Sequence, residues 1–420
     1  MLRDIFMTGG TTSLLSGSWC TQFGIIGMSG NLFADSIQIA ESGNIYATGR
    51  YASSVFLVKF DPFGSVIWCK KLYDLNNVKV PITLDPDENI YLTTRSGQRI
   101  IKINSDGLDQ WAYNDTGPYT YGSMDAIVYY NGYVYTSGYV DRASNFSNES
   151  LCIYQYDAAS GGRIRTLIHD ETSVTTDGTF NNLAIAASGI YVAGDLKSYA
   201  GVICSANFNG DLVWRKGTQD FVYSSTGHSL AISPDGTQIF TGYRYSSDSK
   251  GGVISFTSGG TKKWERKWTN LYDCINLVAT NTQSVFIAST TSTYTNLAQY
   301  YILKIDSEGN QLLCRKFSLS SMRYTPAIAT DADENLYMFA NYGSEGFIIS
   351  KITPEDLAAP QLIFGPLTLT EEELETVSNS IAYTTPALIN YNLSIQHTEI
   401  TFIPTSLNTT ETKFPIETIS

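Results

Sequence analysis

The stretch GNIYATGRYASSVFLVKFDPFGSVIWCKKL, from Gly43 to Leu72, holds three apolar-alternating segments divided by turn residues. Alternation with a period of two marks a half-buried strand, and Gly, Asn or Asp at the breaks fills positions where positive φ is cheap. The first of these segments recurs as NIYATG at Asn44, NIYLTT at Asn89, YVYTSG at Tyr133, GIYVAG at Gly189, TQIFTG at Thr237, SVFIAS at Ser284 and NLYMFA at Asn335. Their anchors Tyr46, Tyr91, Tyr135, Tyr191, Ile239, Phe286 and Tyr337 lie 45, 44, 56, 48, 47 and 51 residues apart. A period near fifty built from strands defines propeller blades.

A second strand follows each anchor, as in FLVKFD, RIIKIN, CIYQYD, VICSANFN, GVISFT, YILKID and FIISKIT. A third carries Trp seven residues after a turn residue: Asp61 to Trp68, Asn104 to Trp111, Asn207 to Trp214 and Thr257 to Trp264, with Leu313 at that distance from Asp306. An indole is wide enough to cover the gap between neighbouring sheets. An apolar strand such as SIQIA or PITLD precedes each anchor, which makes four strands per unit, A to D from the axis outward. The chain is therefore predicted to be all-β, a seven-bladed β-propeller of four-stranded antiparallel blades with a C-terminal extended arm. The long interval between Tyr135 and Tyr191 is assigned to an inserted loop, RASNFSNES, around Asn145.

GSWCTQFG near Trp19 reads as a strand D without its own A, B and C, one period before Trp68, whereas Pro360 stands where the seventh copy needs its Trp. Residues 1–365 are thus read as the propeller, with an N-terminal strand near 18–24 closing the last blade and removing an open edge. The alternative is a self-contained seventh blade with that strand added outside. Residues 366–420 hold seven acidic residues against Lys413 alone, too short and polar to bury a core, and are read as an acidic Thr/Asn-rich docking arm rather than a loose tail.

The net charge of -13 argues against nucleic acid as a partner. Neither the N-terminus, MLRDIFMTGGTTSLLSG, nor any other segment has an apolar run fit for a signal peptide or a membrane span, so common-route export and membrane insertion are not expected. Six separated cysteines without a C-x-x-C read as buried small hydrophobes.

The wording GNIYATGRY, FLVKFDPFGSVIWCKKL resembles the bacterial β-propeller repeat whose units run Gly-Asn-hydrophobic-Tyr-hydrophobic-Thr-Gly, a Lys-centred strand, an Asp-x-x-Gly turn and a Trp. It is also similar to the repeats of quinoprotein-like propellers. The resemblance spans about residues 36–353 and implies the fold. It does not carry over a quinoprotein site, because the chain has no adjacent Cys pair and no recognisable Glu, Asn and Asp set for a metal and quinone.

Chemistry is hard to assemble from motifs. DPDEN at Asp85 and DADEN at Asp331 begin like a calcium loop, but both fall at the tight turn between strands A and B, where Asp and Asn serve turn geometry. Only His169, His228 and His397 are present, and no G-x-S-x-G occurs. No enzyme activity, cofactor or metal is expected. A binding face is expected where the connections between strands B and C gather, carrying Arg50, Tyr51, Tyr139, Tyr199, Tyr243, Arg244, Tyr245, Tyr294 and Tyr342, since Tyr combines rigid area with a polar tip. By analogy with tailed-bacteriophage virion proteins, which combine β-rich heads with extended arms, the expected role is a non-enzymatic virion component of the tail or fibre apparatus. Its partners would be other virion proteins through the arm, a host-surface glycan or receptor through the face, and further copies of itself. The alternatives are an extracellular or cell-surface adhesion propeller and, third, a quinoprotein-like enzyme.

Overall fold

The computed structural model describes residues 17–23, 32–51, 54–72, 79–94, 99–114, 121–141, 149–169, 178–196, 199–217, 229–244, 250–268, 271, 273–290, 300–318, 325–342, 346–359, 361–364 and 367–371. They form a seven-bladed propeller of antiparallel sheets. Blades 1 to 6 span 32–72, 82–114, 121–169, 178–217, 230–267 and 273–318, and blade 7 takes three strands from 327–352 and its outermost from Trp19–Phe23. Each strand A adjoins the strand A of the next blade, and the last, Ala327–Thr330, adjoins the first, Leu32–Ile39, so the ring closes. The insertion at 142–148 lies outside the described residues.

Alternation along each strand divides the core into seams between blades. In strand B of blade 1 (Ile45–Tyr51), Ile45 and Ala47 pack with Phe339 and Phe347 of blade 7, while Tyr46 packs with Ile90 and Leu92 of blade 2. Cys69, Cys152, Cys204 and Cys314 are buried and Cys20 is half-buried; burial pushes Cys20 and Cys69 up to about 12, which leaves them unreactive near neutrality.

The indoles lock these seams. Each of four donates its N–H to a carbonyl in the turn between strands C and D of the next blade: Trp19 to Pro62 at 3.1 Å, Trp68 to Ser105 at 3.0 Å, Trp214 to Ser258 at 2.8 Å and Trp264 to Ser307 at 2.7 Å. Blade 3 has Arg165 at this register position, and its guanidinium reaches the matching carbonyl of Phe208 at 3.0 Å. Basic side chains two residues further along the same strands repeat the contact, Lys70 to Gly107 at 3.0 Å and Arg266 to Gly309 at 2.6 Å.

The A–B turns explain the acidic motifs. Asp85 accepts the backbone N–H of Asp87 and Asn89, the Asn89 amide and the Tyr91 hydroxyl, and Asp331 repeats the arrangement with Asp333, Asn335 and Tyr337. Glu88 and Glu334 follow in the left-handed region at φ 60 and reach into the preceding blade. Glu88 meets Asn44, Tyr46 and the Lys59 ammonium at 3.2 Å, and Glu334 meets the Thr282 N–H at 2.8 Å and Lys304 at 2.6 Å. Burial would raise both carboxyls, but hydrogen bonds from Ser42, Tyr46, Asn44 and Lys59 in one case and from Lys304, Thr282 and Thr280 in the other outweigh it and hold each at about 2. A depressed native value adds stability that is complete above the unfolded carboxyl value and is lost as pH falls toward about 2. Their contribution to the thermal midpoint should therefore be flat above about pH 5 and be lost below about pH 4.5. The double variant Glu88→Gln, Glu334→Gln should start lower at pH 7 and show a shallower acid slope; an unchanged slope in a pH series of melts would remove these two carboxylates from the acid response.

After blade 7 a short helix, Pro354–Ala358, begins at the cap Thr353, and Arg315 of blade 6 donates to its Leu357 carbonyl at 2.7 Å. The chain then adds a hairpin, Gln361–Phe364 and Leu367–Glu371, to the outer edge of blade 6, with Arg315 opposite Glu371 and Ser318 opposite Thr368. This pairing crosses the boundary expected at 365, so the first residues of the arm are part of a sheet. Residues 372–420 lie outside the described set.

Candidate functional site at the axial mouth

Strands B end, and strands C begin, at the ring face opposite the A–B and C–D turns. Those turns carry many Asp and Glu and no Lys or Arg, as DPFGS, DPDEN, NSDGL, SPDGT, DSEGN, DADEN and TPEDLAA illustrate.

On that other face the inner strands are interrupted by bulges. Register shifts fall between Ala34 and Ser36, Met124 and Ala126, Thr179 and Asn182, and Cys274 and Asn276. A bulge leaves an unpaired residue and re-aims its side chain. In blade 1 that residue is Asp35, 9% exposed, and the Arg50 Nε donates to its two oxygens at 3.0 and 2.7 Å while the guanidinium lies 4.4 Å above the Phe33 ring. Burial pushes the Asp35 carboxyl up to about 6, against the opposing pull of Arg50, Lys79 and the Val80 N–H. In blade 3 the bulge residue is Asp125, which accepts the Ser123 hydroxyl at 2.5 Å.

Arg50 is the fourth residue after the anchor Tyr46, and Tyr139, Tyr243 and Asn341 hold the same place in blades 3, 5 and 7. Their surroundings differ. Tyr139 is half-buried, whereas Tyr243 is 2% exposed, its hydroxyl bonded to Glu265 at 2.9 Å and its ring over Gly252. Tyr243 is therefore a packing residue of blade 5, because strand B runs on through Arg244 and keeps it inside the seam. Tyr51, Arg244 and Tyr342 fall at the ends of strands B and Tyr199 at the start of a strand C, so the topology gathers them on the mouth face. Tyr245 and Tyr294 lie outside the described residues.

No protein-family model matches this sequence, and no curated protein does. Solved structures do resemble the fold. A quinohaemoprotein alcohol dehydrogenase from Comamonas testosteroni shares 10% identity over 83% of this chain and 78% of its own, with a TM-score of 0.53. A streptogramin B lyase shares 13% over 79% and 97%, at 0.54. A polysaccharide lyase, ulvan lyase, bound to -[GlcA(1-4)Rha3S]-, shares 11% over 79% and 96%, at 0.53. At these identities the likeness establishes the propeller fold alone.

It also corrects two expectations. The inference that a propeller without a recognisable motif carries no chemistry is overturned by these three propellers, each of them named as an enzyme, and the assignment to a bacteriophage tail or fibre falls with it. Residues that would hold a quinone with its metal do not fit this chain: the six cysteines sit in six different strands, and among the described residues no three His, Cys, Asp or Glu side chains converge. Among the described residues no helix is long and apolar enough to cross a membrane.

Proposed function

We propose that the protein is a lyase-type propeller that takes an anionic polysaccharide at its axial mouth, where Arg50 meets the acidic group of the sugar and Asp35 is its positioning residue. The observation that carries this reading is the buried Asp35–Arg50 pair at an inner-strand bulge, on the face whose opposite side is lined by acids. A guanidinium held by a second carboxylate is pre-set in one orientation, which suits recognition of a carboxylate or sulfate and stabilisation of charge that builds up beside it. Elimination needs that: a base, here solvent hydroxide, takes the proton from the carbon next to a carboxylate and becomes water, the C–H electron pair becomes a carbon–carbon double bond as the carbon–oxygen bond breaks, and the departing sugar oxygen takes a proton from a second water, which regenerates hydroxide. The ulvan and streptogramin lyases support the reaction class, and such a substrate supports an extracellular or cell-surface setting.

The test is a panel of uronate-containing, sulfated and neutral polysaccharides, read by the ultraviolet absorbance of the unsaturated product and by affinity electrophoresis. Cleavage of an acidic member is expected, with Arg50→Gln lowering kcat/KM about a hundredfold. Asp35→Asn should raise KM and leave a thermally stable fold. Retardation without cleavage would reduce the mouth to a binding site, and a blank panel would sink the carbohydrate reading.

A further inference from the structure

Charge is unevenly spread round the outer wall of the ring. The outermost strands of blades 3 to 6, RIRTLIH, LVWRKG, KKWERK and QLLCRKFS, hold ten Lys and Arg and one acid, Glu265. Those of blades 7, 1 and 2, WCTQF, VIWCKKL and DQWAYN, hold only Lys70 and Lys71 with Asp109, and Lys70 is paired to Asp109 at 2.6 Å. In a chain of net charge -13 the basic strands thus form one arc over four consecutive blades. Lys216, Lys262 and Lys263 are exposed and Lys267 is half-exposed. Arg165, Lys263 and Arg266 bond to neutral acceptors, the Phe208 carbonyl, the Gln238 amide oxygen and the Gly309 carbonyl, so their charge is not cancelled there. Apolar side chains stand out beside them. In blades 3, 4 and 6 the outer strand is bulged, and the extra residues Ile164, Val213 and Leu312 are 50%, 58% and 55% exposed.

The chain itself supplies a segment of matching chemistry. Its last described strand, Leu367–Glu371, lies on the outer strand of blade 6, so the wall of the ring already accepts strand addition from the arm. That strand runs antiparallel to Gln311–Ser318, with Thr368 opposite Ser318 and Glu371 opposite Arg315. It is therefore directed toward the C–D turn end of the wall, the end at which the outer strand of blade 5 begins with Lys262 and Lys263. Glu371 opens the run EEELE, and residues 372–420 carry six acids against Lys413. Within them INYNLSI, from Ile389 to Ile395, alternates apolar and polar residues without a break, the pattern of a strand with one apolar face. Of the two neighbours of blade 6, blade 7 presents the uncharged WCTQF and blade 5 presents KKWERK. Acid meets base only on the blade 5 side. An acidic polysaccharide would match the charge as well, but the arm is tethered at blade 6, which raises its local concentration far above that of a free ligand.

We propose that residues 372–420 turn from blade 6 onto the outer wall of blades 5 and 4 of the same chain, the run EEELE meeting the lysines of blade 5 and the apolar face of INYNLSI covering Val213 beside Lys216. This does not depend on the carbohydrate reading. The test is carbodiimide cross-linking of the full chain at low concentration, isotope-labelled and unlabelled copies mixed, read by mass spectrometry. Cross-links within one chain from Glu372, Glu373 or Glu375 to Lys262, Lys263 or Lys267 are expected, reduced about tenfold in about 1 M salt, where the screening length is about 3 Å. Amide exchange over residues 389–395 should be about tenfold slower at low salt than in about 1 M salt, a comparison that needs no variant. The double variant Lys216→Glu, Lys263→Glu should lose both signals while its circular dichroism stays that of the parent. Cross-links joining labelled to unlabelled chains would give the wall to a second copy's arm and overturn the contact within one chain. Loss of polysaccharide retardation in the double variant, with no cross-link from the arm in the parent, would give the wall to the polysaccharide. Exchange that ignores salt, with no cross-link to any outer strand, would leave the arm without a seat on the ring.

Discussion

A chain that begins at Leu32 is expected to lose its cooperative thermal transition. The strand it lacks, Trp19–Phe23, is the outer strand of blade 7 and pairs along its length with Phe347–Lys351. Phe23 is 5% exposed and packs against three rings, Phe60 at 5.2 Å, Phe347 at 5.7 Å and Phe339 at 6.1 Å between centroids. Trp19 ties blade 7 to the Pro62 turn of blade 1, and Ser18 accepts the Thr353 N–H. Removing a buried aromatic costs about 3–5 kcal/mol. Two of them with a strand ladder come to the order of 10 kcal/mol, comparable to the whole stability of a typical fold. Circular dichroism against temperature reads the outcome, and a peptide covering residues 17–24 added in trans should restore a transition. A truncated chain that melts within a few degrees of the parent would mean that the ring holds without this strand. The single change Phe23→Ala should cost about 3–5 kcal/mol by the same burial argument.

Blade number was readable because each copy repeats one local chemistry: an aromatic anchor, a Gly or Asp turn, and a Trp at a set offset. The offset itself conveyed only that an indole was needed. That its N–H ends on a carbonyl of the next blade, some forty residues onward, is a property of the stacked pair. For the same reason Arg165 went unseen as the substitute in blade 3, where the turn Asp157–Gly162 is one residue longer and shifts the count. The mouth was less readable. Asp35 breaks the alternation of LFADSIQI, and Asp125 and Asn181 break SMDAIV and FNNLAI at corresponding places; aligned inner strands would have exposed the polar bulge. Tyr243 was assigned to the surface by its nearness to a turn, although one further strand residue, Arg244, was enough to bury it. Chemistry was missed because a propeller site is pooled from separate blades and leaves no contiguous motif.

The seam contacts predict a graded response at Trp264. Its indole is 8% exposed, donates to Ser307 at 2.7 Å, and lies with Phe240 at 5.9 Å between centroids in the seam between blades 5 and 6. Trp264→Ala removes both the bond and the packing and should cost about 3–5 kcal/mol. Trp264→Phe keeps most of the area and should cost about 1 kcal/mol for the lost bond, plus a small cavity term. Trp111 supplies the control, because its Nε1 is buried without a partner while its ring packs beside Gly161 in the same manner. Trp111→Phe therefore forfeits no bond and should be the milder of the two, with the cavity term common to both. The other half of the staple is Gly309, at φ +87 with any added Cβ 2.8 Å from the Trp264 ring. Gly309→Ala should destabilise through the left-handed backbone and the clash, but in a Trp264→Ala background the clash is gone and the cost should shrink to the backbone part. Urea titrations of the four single variants and the double variant measure this coupling. Equal losses for Trp264→Phe and Trp111→Phe would show that the indole N–H contributes nothing and that the blades are held by ring packing alone.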